Sequence, residues 1–446
     1  WMISDLSIML SGGITVPAYT TYTERDYEYI IDDCMPSIII ISDKIQYEKI
    51  KNIILKKNFI KKIISFDNID EESNLKIHDI FKKDNCINQN FADLKIQRKD
   101  MACIIYTSGT QGNPKGVMLS HGGILNNCEG AYGLLKNFIS KKPKFLTWLP
   151  LSHSYEHTVQ FVQIVVGAKV FYAESIDSLI KNMSDCSPEI MTAVPRFYQN
   201  LYQKINASFS KATGLKKFLV SQTVRLGKKK LSKQRFLLIE NVINFICEKL
   251  VRKKIKDQFG GNLKAFISGG GALDKEVGSF LNAIGLPTLQ GYGLTETSPV
   301  VSCNSIDDIR VETVGIPFEG NLVKIADDGE ILVKGENVML GYWKNKEETD
   351  KVLKNGWLHT GDIGEFDRKF LKITDRKKDI IITTGGDNIS PIKIENDLNK
   401  SDFIEQSLIY GDSKPYLVSL IVLSYEHRNI SKEKIQQEIE KINLDL

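Results

Sequence analysis

An α/β fold is predicted for this 446-residue chain, with a large N-terminal domain of βα sheet layers, a small distorted antiparallel β module, and a small α+β C-terminal domain that is incomplete. Three observations predict it. Through the first 200 residues short β-branched runs alternate with helical stretches, the pattern of βα units around largely parallel sheet. From Gly315 to Ile381 the pattern switches to short alternating strands. From about Arg376 a glycine loop, "TTGGDNISP", opens a final αβ segment, which sets the expected domains at 1–375 and 376–446.

The elements follow in order. The chain opens on Trp1 with an apolar helix-like run that Gly12 and Gly13 end; it has neither cap nor basic leader, so a cut inside a domain is expected. The expected strands are "GITVPAY", "SIIIISD", "IKKIISF", "ACIIYTS", "KFLTWLP", "AKVFYA" and "EIMTAV". From Pro195 to about Ile255 the pattern is long, helical and lysine-rich. "LKAFISGGGALDKEVGSFLNAIG" then reads as strand, glycine turn and helix, and "PTLQGYGLTETSP" as a strand running into a polar loop. "DDG" at Asp327 to Gly329 is a hairpin turn. "SKEKIQQEIEKINLDL" is a helical pattern that stops without a closing strand, again as expected of a fragment.

Composition bounds the function classes. The apolar content of 42% is that of a globular chain with a sizeable core. A net charge of +4, from 59 basic and 55 acidic residues, argues for no nucleic acid. Seven cysteines lie scattered without a C-x-x-C pair, which suits a reducing, cytoplasmic setting and small core residues. No apolar run approaches the roughly 18 to 20 residues of a membrane-spanning helix.

The chemistry concentrates in "YTSGTQGNPKGVMLSH", Tyr106 to His121. A Walker A loop would need a glycine where Pro114 stands, so that reading fails. What remains is strand, then hydroxyls and glycines, then Lys115, then a second strand: a concave nest of N–H groups suited to phosphate. Glycine lets the backbone approach the anion, hydroxyls donate to it or ligate magnesium, and the lysine supplies a point charge. Ordinary turn chemistry uses the same residue types, but an eleven-residue loop ending in Pro-Lys-Gly favours phosphate binding.

This stretch resembles the AMP-binding signature of the adenylate-forming enzymes, the superfamily of acyl-CoA synthetases, nonribosomal-peptide adenylation domains and firefly luciferase. Further motifs of that superfamily follow in order: "LPLSHSYEH" at Leu149 to His157, "SGGGALD" at Ser268 to Asp274, "GYGLTETSP" at Gly291 to Pro299, "GWLHTGDIG" at Gly356 to Gly364, and "ITDRKKDIIITTGGDNISPIKIE" at Ile373 to Glu395. The resemblance implies ATP-dependent formation of an acyl-adenylate and transfer to coenzyme A, with magnesium.

It also implies site residues. Thr107 and Glu296 would hold magnesium. Ser108, Gly109, Thr110 and Lys115 would wrap the β and γ phosphates, and Thr295 would touch the α-phosphate. Gly269, Gly270 and Gly271 with Tyr292 would sandwich adenine, Gly293 would belong to the ATP site, Asp362 would accept the ribose hydroxyls, and Arg376 would complete the nucleotide site. Lys115, Thr295 and Glu296 are the expected catalytic set. The small C-terminal domain would be mobile, with Lys378 as its hinge, and Gly385 and Gly386 would line the coenzyme A channel.

The long helical insert after "TAVPRFYQNLYQKI" resembles bacterial long-chain fatty acyl-CoA synthetases, so a long-chain fatty acid is the expected substrate, with His153 and Tyr155 as gate or tunnel candidates. Basic Arg225 to Arg235 could touch anionic lipid at the inner face of the membrane, or form a solvated helix face. The superfamily's C-terminal catalytic lysine lies in a Pro-Thr-rich context, and no lysine from Lys393 to Lys441 has one. The chain as given is therefore expected to adenylate poorly. The rivals are a ligase that loads a carrier protein, a nucleotide-binding remnant, and, from the H-x-x-E-H pattern of "HSYEH", a zinc peptidase.

Overall fold

The computed structural model describes residues 1–69, 74–77, 80, 94–107, 114–377, 379–382, 388–412, 414 and 416–443. A seven-stranded sheet runs through its centre, in the order Ile316–Pro317, Val300–Cys303, Thr288–Gly293, Ala265–Ser268, Ile190–Ala193, Lys144–Thr147, Lys169–Tyr172. The last five are mutually parallel, and the first two are antiparallel additions. Successive strand residues point to opposite faces, and the inner strands of this sheet are buried on both. Phe145, Ile190 and Ala265 enter one hydrophobic cluster, whereas their neighbours Leu146, Met191 and Phe266 enter another. Both faces are therefore apolar, which is why these strands read as continuous β-branched or aromatic runs.

A second sheet is the hairpin Met101–Thr107 with Lys115–Ser120, flanked by Gly341–Tyr342. Its register sets Thr107 opposite Lys115 and Tyr342 opposite Val117. Near the N-terminus, Ile38–Ile41, Lys62–Ser65 and Asn74–Lys76 pair in parallel, with helix Lys44–Ile54 crossing between the first two. Asp43 caps that helix by accepting from the Gln46 N–H at 2.9 Å.

"GITVPAY" does not form the expected strand. Thr15 alone bridges Cys103, its N–H donating to Ala102 and its carbonyl accepting from Ile104. Pro17, two residues on, lacks the N–H that would extend such pairing.

The antiparallel module contains Leu322–Ile325, Glu330–Lys334, Trp357–Asp367, Leu353–Lys354 and Phe370–Arg376. Gly329, at a φ of +83°, closes the Asp327 to Gly329 turn. Beyond it lie helix Pro391–Leu398, hairpin Ile404–Tyr410 with Val418–Leu423, and helix Lys432–Asn443, packed around Ile381, Leu398, Ile404 and Ile409. The fold is thus mixed α/β, with a large N-terminal part and a smaller C-terminal one.

The insert after residue 195 is helical throughout: Pro195–Ser210, Gly214–Leu231, Leu238–Cys247 and Lys253–Gln258, with a wider π-type turn at Glu248–Arg252. Most cations of its basic stretch are already committed within the chain. Arg225 and Lys229 pair with Glu240, Lys228 with Glu276, and Lys233 with Asp308.

Candidate active site

Two polar clusters adjoin the C-terminal end of strand Thr288–Gly293. The first sits where the hairpin Met101–Thr107 and Lys115–Ser120 is joined by Gly341–Tyr342. Lys115 emerges at the start of its strand, with Nζ 5.3 Å from the centroid of the Tyr342 ring and an ion pair to Glu348. Glu348 lies in the first turn of helix Lys346–Val352, capped by Asn345. Lys115, and after it Lys351, hold the Glu348 carboxyl down to about 2. The Tyr342 hydroxyl donates to Oε1 of Glu296 at 2.9 Å. Burial, and then the neighbouring Glu296 charge, push the Tyr342 phenol up, so it remains a proton donor.

Glu296 belongs to the short 3-10 turn Thr295–Thr297 that follows strand Thr288–Gly293. Its carbonyl accepts from the Met339 N–H at 2.9 Å, which ties the turn to the segment leading into Tyr342. Thr295 Oγ1 lies 3.0 Å from Ser154 Oγ.

The second cluster is built on the antiparallel module. Asp362 and Arg376 are cross-strand partners on Trp357–Asp367 and Phe370–Arg376. One Asp362 oxygen accepts from the Tyr292 hydroxyl at 2.6 Å, and the other lies 3.4 Å from Arg376 Nε. Burial raises the Asp362 carboxyl, while Tyr292 and Arg376 oppose that rise and the Glu296 charge adds to it. Tyr292 is three residues from Thr295, so strand Thr288–Gly293 and its turn join the two clusters.

The glycine turn after Ala265–Ser268 lies against the same region. A Cβ at Gly269 would stand 2.9 Å from Tyr155 Cζ, so only glycine admits that ring without displacement, and Gly270 has φ +78°. The Tyr155 and Tyr198 hydroxyls both donate to the Ile267 carbonyl, each at 3.0 Å. His153 caps helix Ser154–Val165, its Nδ1 accepting from the Tyr155 N–H at 3.2 Å, and burial pushes its imidazole down.

The side chains of "HSYEH" serve three separate partners. His153 takes the cap, Glu156 accepts from Thr192 at 2.7 Å, and His157 Nε2 lies 2.8 Å from Asp5 Oδ2. That arrangement does not converge on one metal, and among the described residues no group of three or more His, Cys, Asp or Glu could hold one.

The structure therefore brings Lys115, Glu296, Tyr292, Asp362 and Arg376 into two adjoining clusters, with Thr107 in register beside Lys115. Ser108, Gly109, Thr110, Lys378, Gly385 and Gly386 lie outside the described residues. Sequence reasoning missed Tyr342, Glu348 and Ser154. Their roles arise from pairings remote in sequence; Ser154 stands inside the motif "LPLSHSYEH", whereas no local pattern marks Tyr342 or Glu348.

Residues 1–343 match the family described as AMP-binding enzyme, and residues 378–445 match the AMP-binding enzyme C-terminal domain. The long-chain-fatty-acid–CoA ligase FadD15 of Mycobacterium bovis is 28% identical over 428 residues, covering 96% of this chain and 71% of that protein. Long-chain-fatty-acid–CoA ligase 5 of Rattus norvegicus is 32% identical over 454 residues, covering 95% of this chain and 65% of the relative. The chain thus spans about two thirds of the length of such relatives. Among solved structures, the anthranilate CoA ligase AuaEII in complex with anthranoyl-AMP superposes with a TM-score of 0.74 at 20% identity, covering 99% of this chain and 78% of that one. ATP-bound MatB from Rhodopseudomonas palustris gives 0.72 at 22%, covering 99% and 79%. At those identities the likeness establishes a shared fold.

Proposed function

We propose, since this chain belongs to the AMP-binding enzyme family, that the protein it represents is a long-chain fatty acid–CoA ligase. The fatty acid carboxylate attacks the ATP α-phosphorus and pyrophosphate leaves. The coenzyme A thiol, giving up its proton, then attacks the acyl carbon, and AMP leaves. The names borne by the relatives above support the acid and the thiol acceptor.

The observation that carries the reading is the junction at Tyr342, which touches both the lysine beside the glycine-rich loop and the carboxylate of Glu296. Adenylation needs cations and hydroxyls around the transferred phosphate and a carboxylate for a hard metal ion. Thr107 and Glu296 supply the oxygen donors that magnesium prefers, and Tyr342 fixes one Glu296 oxygen while contributing a neutral hydroxyl. Magnesium, when bound there, would neutralise phosphate charge. Lys115 approaches the β and γ phosphates together with Ser108, Gly109 and Thr110, and Thr295 approaches the α-phosphate.

Asp362 accepts the ribose hydroxyls, Tyr292 and Gly269 to Gly271 with Gly293 border adenine, and Arg376 neutralises Asp362. His153 and Tyr155 stand at the acyl gate. In this reading the domains are 1–375 and 376–446, Lys378 acts as the hinge, and Gly385 and Gly386 line the coenzyme A channel.

The test is pyrophosphate release across acid chain lengths with magnesium and ATP, on a protein extended to the length of its relatives. Release that peaks with long-chain acids, followed by acyl-CoA on adding coenzyme A, is the expected result. No release with any fatty acid overturns the ligase reading. Release without acyl-CoA assigns the acyl group to a carrier protein instead.

A further inference from the structure

Helix Leu238–Cys247 turns its apolar face outward. Leu238, Ile239, Val242, Phe245 and Ile246 recur at the spacing of one helical stripe, and Leu250 extends the stripe into the next turn. In that order the six are 89, 64, 57, 59, 38 and 50% exposed. The orientation is held from beneath. Glu240, on the opposite face, is buried, accepts from the Leu237 N–H at 2.9 Å, and is ion-paired to Arg225 and Lys229. Cys247 is also buried, its thiol directed at the Leu219 carbonyl. Rolling the apolar stripe inward would break that anchor.

The surroundings are cationic. Between Gly214 and Lys256 the sequence holds ten lysines and three arginines against two glutamates. Both glutamates are taken, Glu240 as above and Glu248 by Arg252. Lys230, Arg235, Lys249, Lys253 and Lys254 are exposed around the stripe, and Lys249 Nζ lies 4.5 Å from the Phe245 ring centroid. A lysine so placed can lay its methylenes along the apolar face and lift its ammonium to a headgroup.

We propose that this face is a docking surface for an anionic lipid bilayer, with helix Leu238–Cys247 lying in the plane of the interface. An interfacial helix needs an apolar stripe bordered by uncompensated cations, and both are present here. A second copy of the chain is a poorer occupant, because a two-fold contact would set this cationic rim against itself. From Arg225 to Arg235 only Lys230 and Arg235 join this rim, because Arg225, Lys228, Lys229 and Lys233 are spent on internal carboxylates. Nothing in the inference uses ATP or an acid, so it stands or falls apart from the ligase reading.

The experiment sediments the 446-residue chain with sucrose-loaded vesicles of phosphatidylcholine, with and without phosphatidylglycerol, and without nucleotide. The chain should pellet with the anionic vesicles, less with the neutral ones and less in high salt. Ile239→Glu with Phe245→Glu should weaken partitioning by about tenfold or more, with an unchanged circular dichroism spectrum and melting midpoint. Lys249→Gln with Lys253→Gln, which leaves the apolar stripe intact, should reduce the preference for anionic over neutral vesicles. A wild-type chain that stays in the supernatant overturns the proposal, as does an Ile239→Glu, Phe245→Glu chain that pellets normally. So does a lipid-free dimer, seen by light scattering, that the same pair abolishes in a chain with no vesicle binding, since a second copy then owns the face.

Discussion

Tyr342 donates its hydroxyl hydrogen to Glu296 at 2.9 Å, across 46 positions of sequence, and the same ring lies under the Lys115 ammonium. One side chain thus joins a lysine and a carboxylate, the groups proposed above to meet phosphate and magnesium.

Removing only that hydroxyl, by Tyr342→Phe, keeps the ring beneath Lys115 and frees Glu296 to wander. Hydrogen bonds to charged groups contribute about 1.5–3 kcal/mol. If the bond serves mainly to aim Glu296, acid-dependent ATP–pyrophosphate exchange should fall about tenfold, and the magnesium concentration giving half-maximal exchange should rise. An unchanged magnesium dependence would separate Glu296 from the metal.

Lys115 has an internal partner that competes with any phosphate. Its ion pair with Glu348 has to open before the ammonium reaches an anion. Glu348→Gln removes the competitor's charge while keeping its shape. The expected outcome is tighter ATP binding by calorimetry, by a few-fold at most, because a partly exposed pair contributes about 1 kcal/mol or less. Weaker binding would mean that Glu348 positions Lys115 productively.

The sequence makes some of this visible and hides the rest for physical reasons. Parallel strands such as Ile190–Ala193 are apolar on both faces, and the hairpin around Lys115 is written in one contiguous stretch. Lys115, Glu296 and Asp362 each stand in a local motif, so their neighbourhoods can be read without a fold. Tyr342 and Glu348 cannot be found that way, since only the pairing of Gly341–Tyr342 with Lys115–Ser120 brings them in. "GITVPAY" misleads because β-branched composition says nothing of Pro17 ending the ladder after one residue. In "LLIENVINFIC" the periodicity marks an apolar stripe without saying which way it faces, and burial of Glu240 beneath it decides that the stripe faces out.

Glu156 gives the chain a pH dependence outside the candidate site. Burial lifts its carboxyl from 4.5 to about 7, against opposing hydrogen bonds from Thr192 and Thr147. A carboxyl raised on folding contributes stability that is complete below its unfolded value and is lost as pH rises through its folded value. Stability from this group therefore declines between about pH 4.5 and 7. Glu156→Gln should flatten that limb and raise the melting midpoint at pH 8 by about 2–4 °C, with little change at pH 5. Equal shifts at both pH values would assign the effect to packing.

Asp362 provides the last test, because its two oxygens have different partners and its burial costs stability. Tyr292 and Arg376 oppose the desolvation, yet the carboxyl remains raised. By the same sign rule, its stabilising contribution is present at low pH and lost as the group ionises. Asp362→Asn keeps the shape and removes the buried charge, so the folded chain should melt no lower at pH 8 than the wild type. Nucleotide binding should move the other way. An amide offers one acceptor oxygen where a carboxylate offers two, so a pair of ribose hydroxyls would lose one of its strong bonds, and AMP affinity should fall about tenfold. A 2′-deoxy nucleotide, which already lacks one of those hydroxyls, should lose less on Asp362→Asn than AMP does. Equal losses for the two nucleotides would place the ribose elsewhere and leave Asp362 as a structural partner of Tyr292 and Arg376.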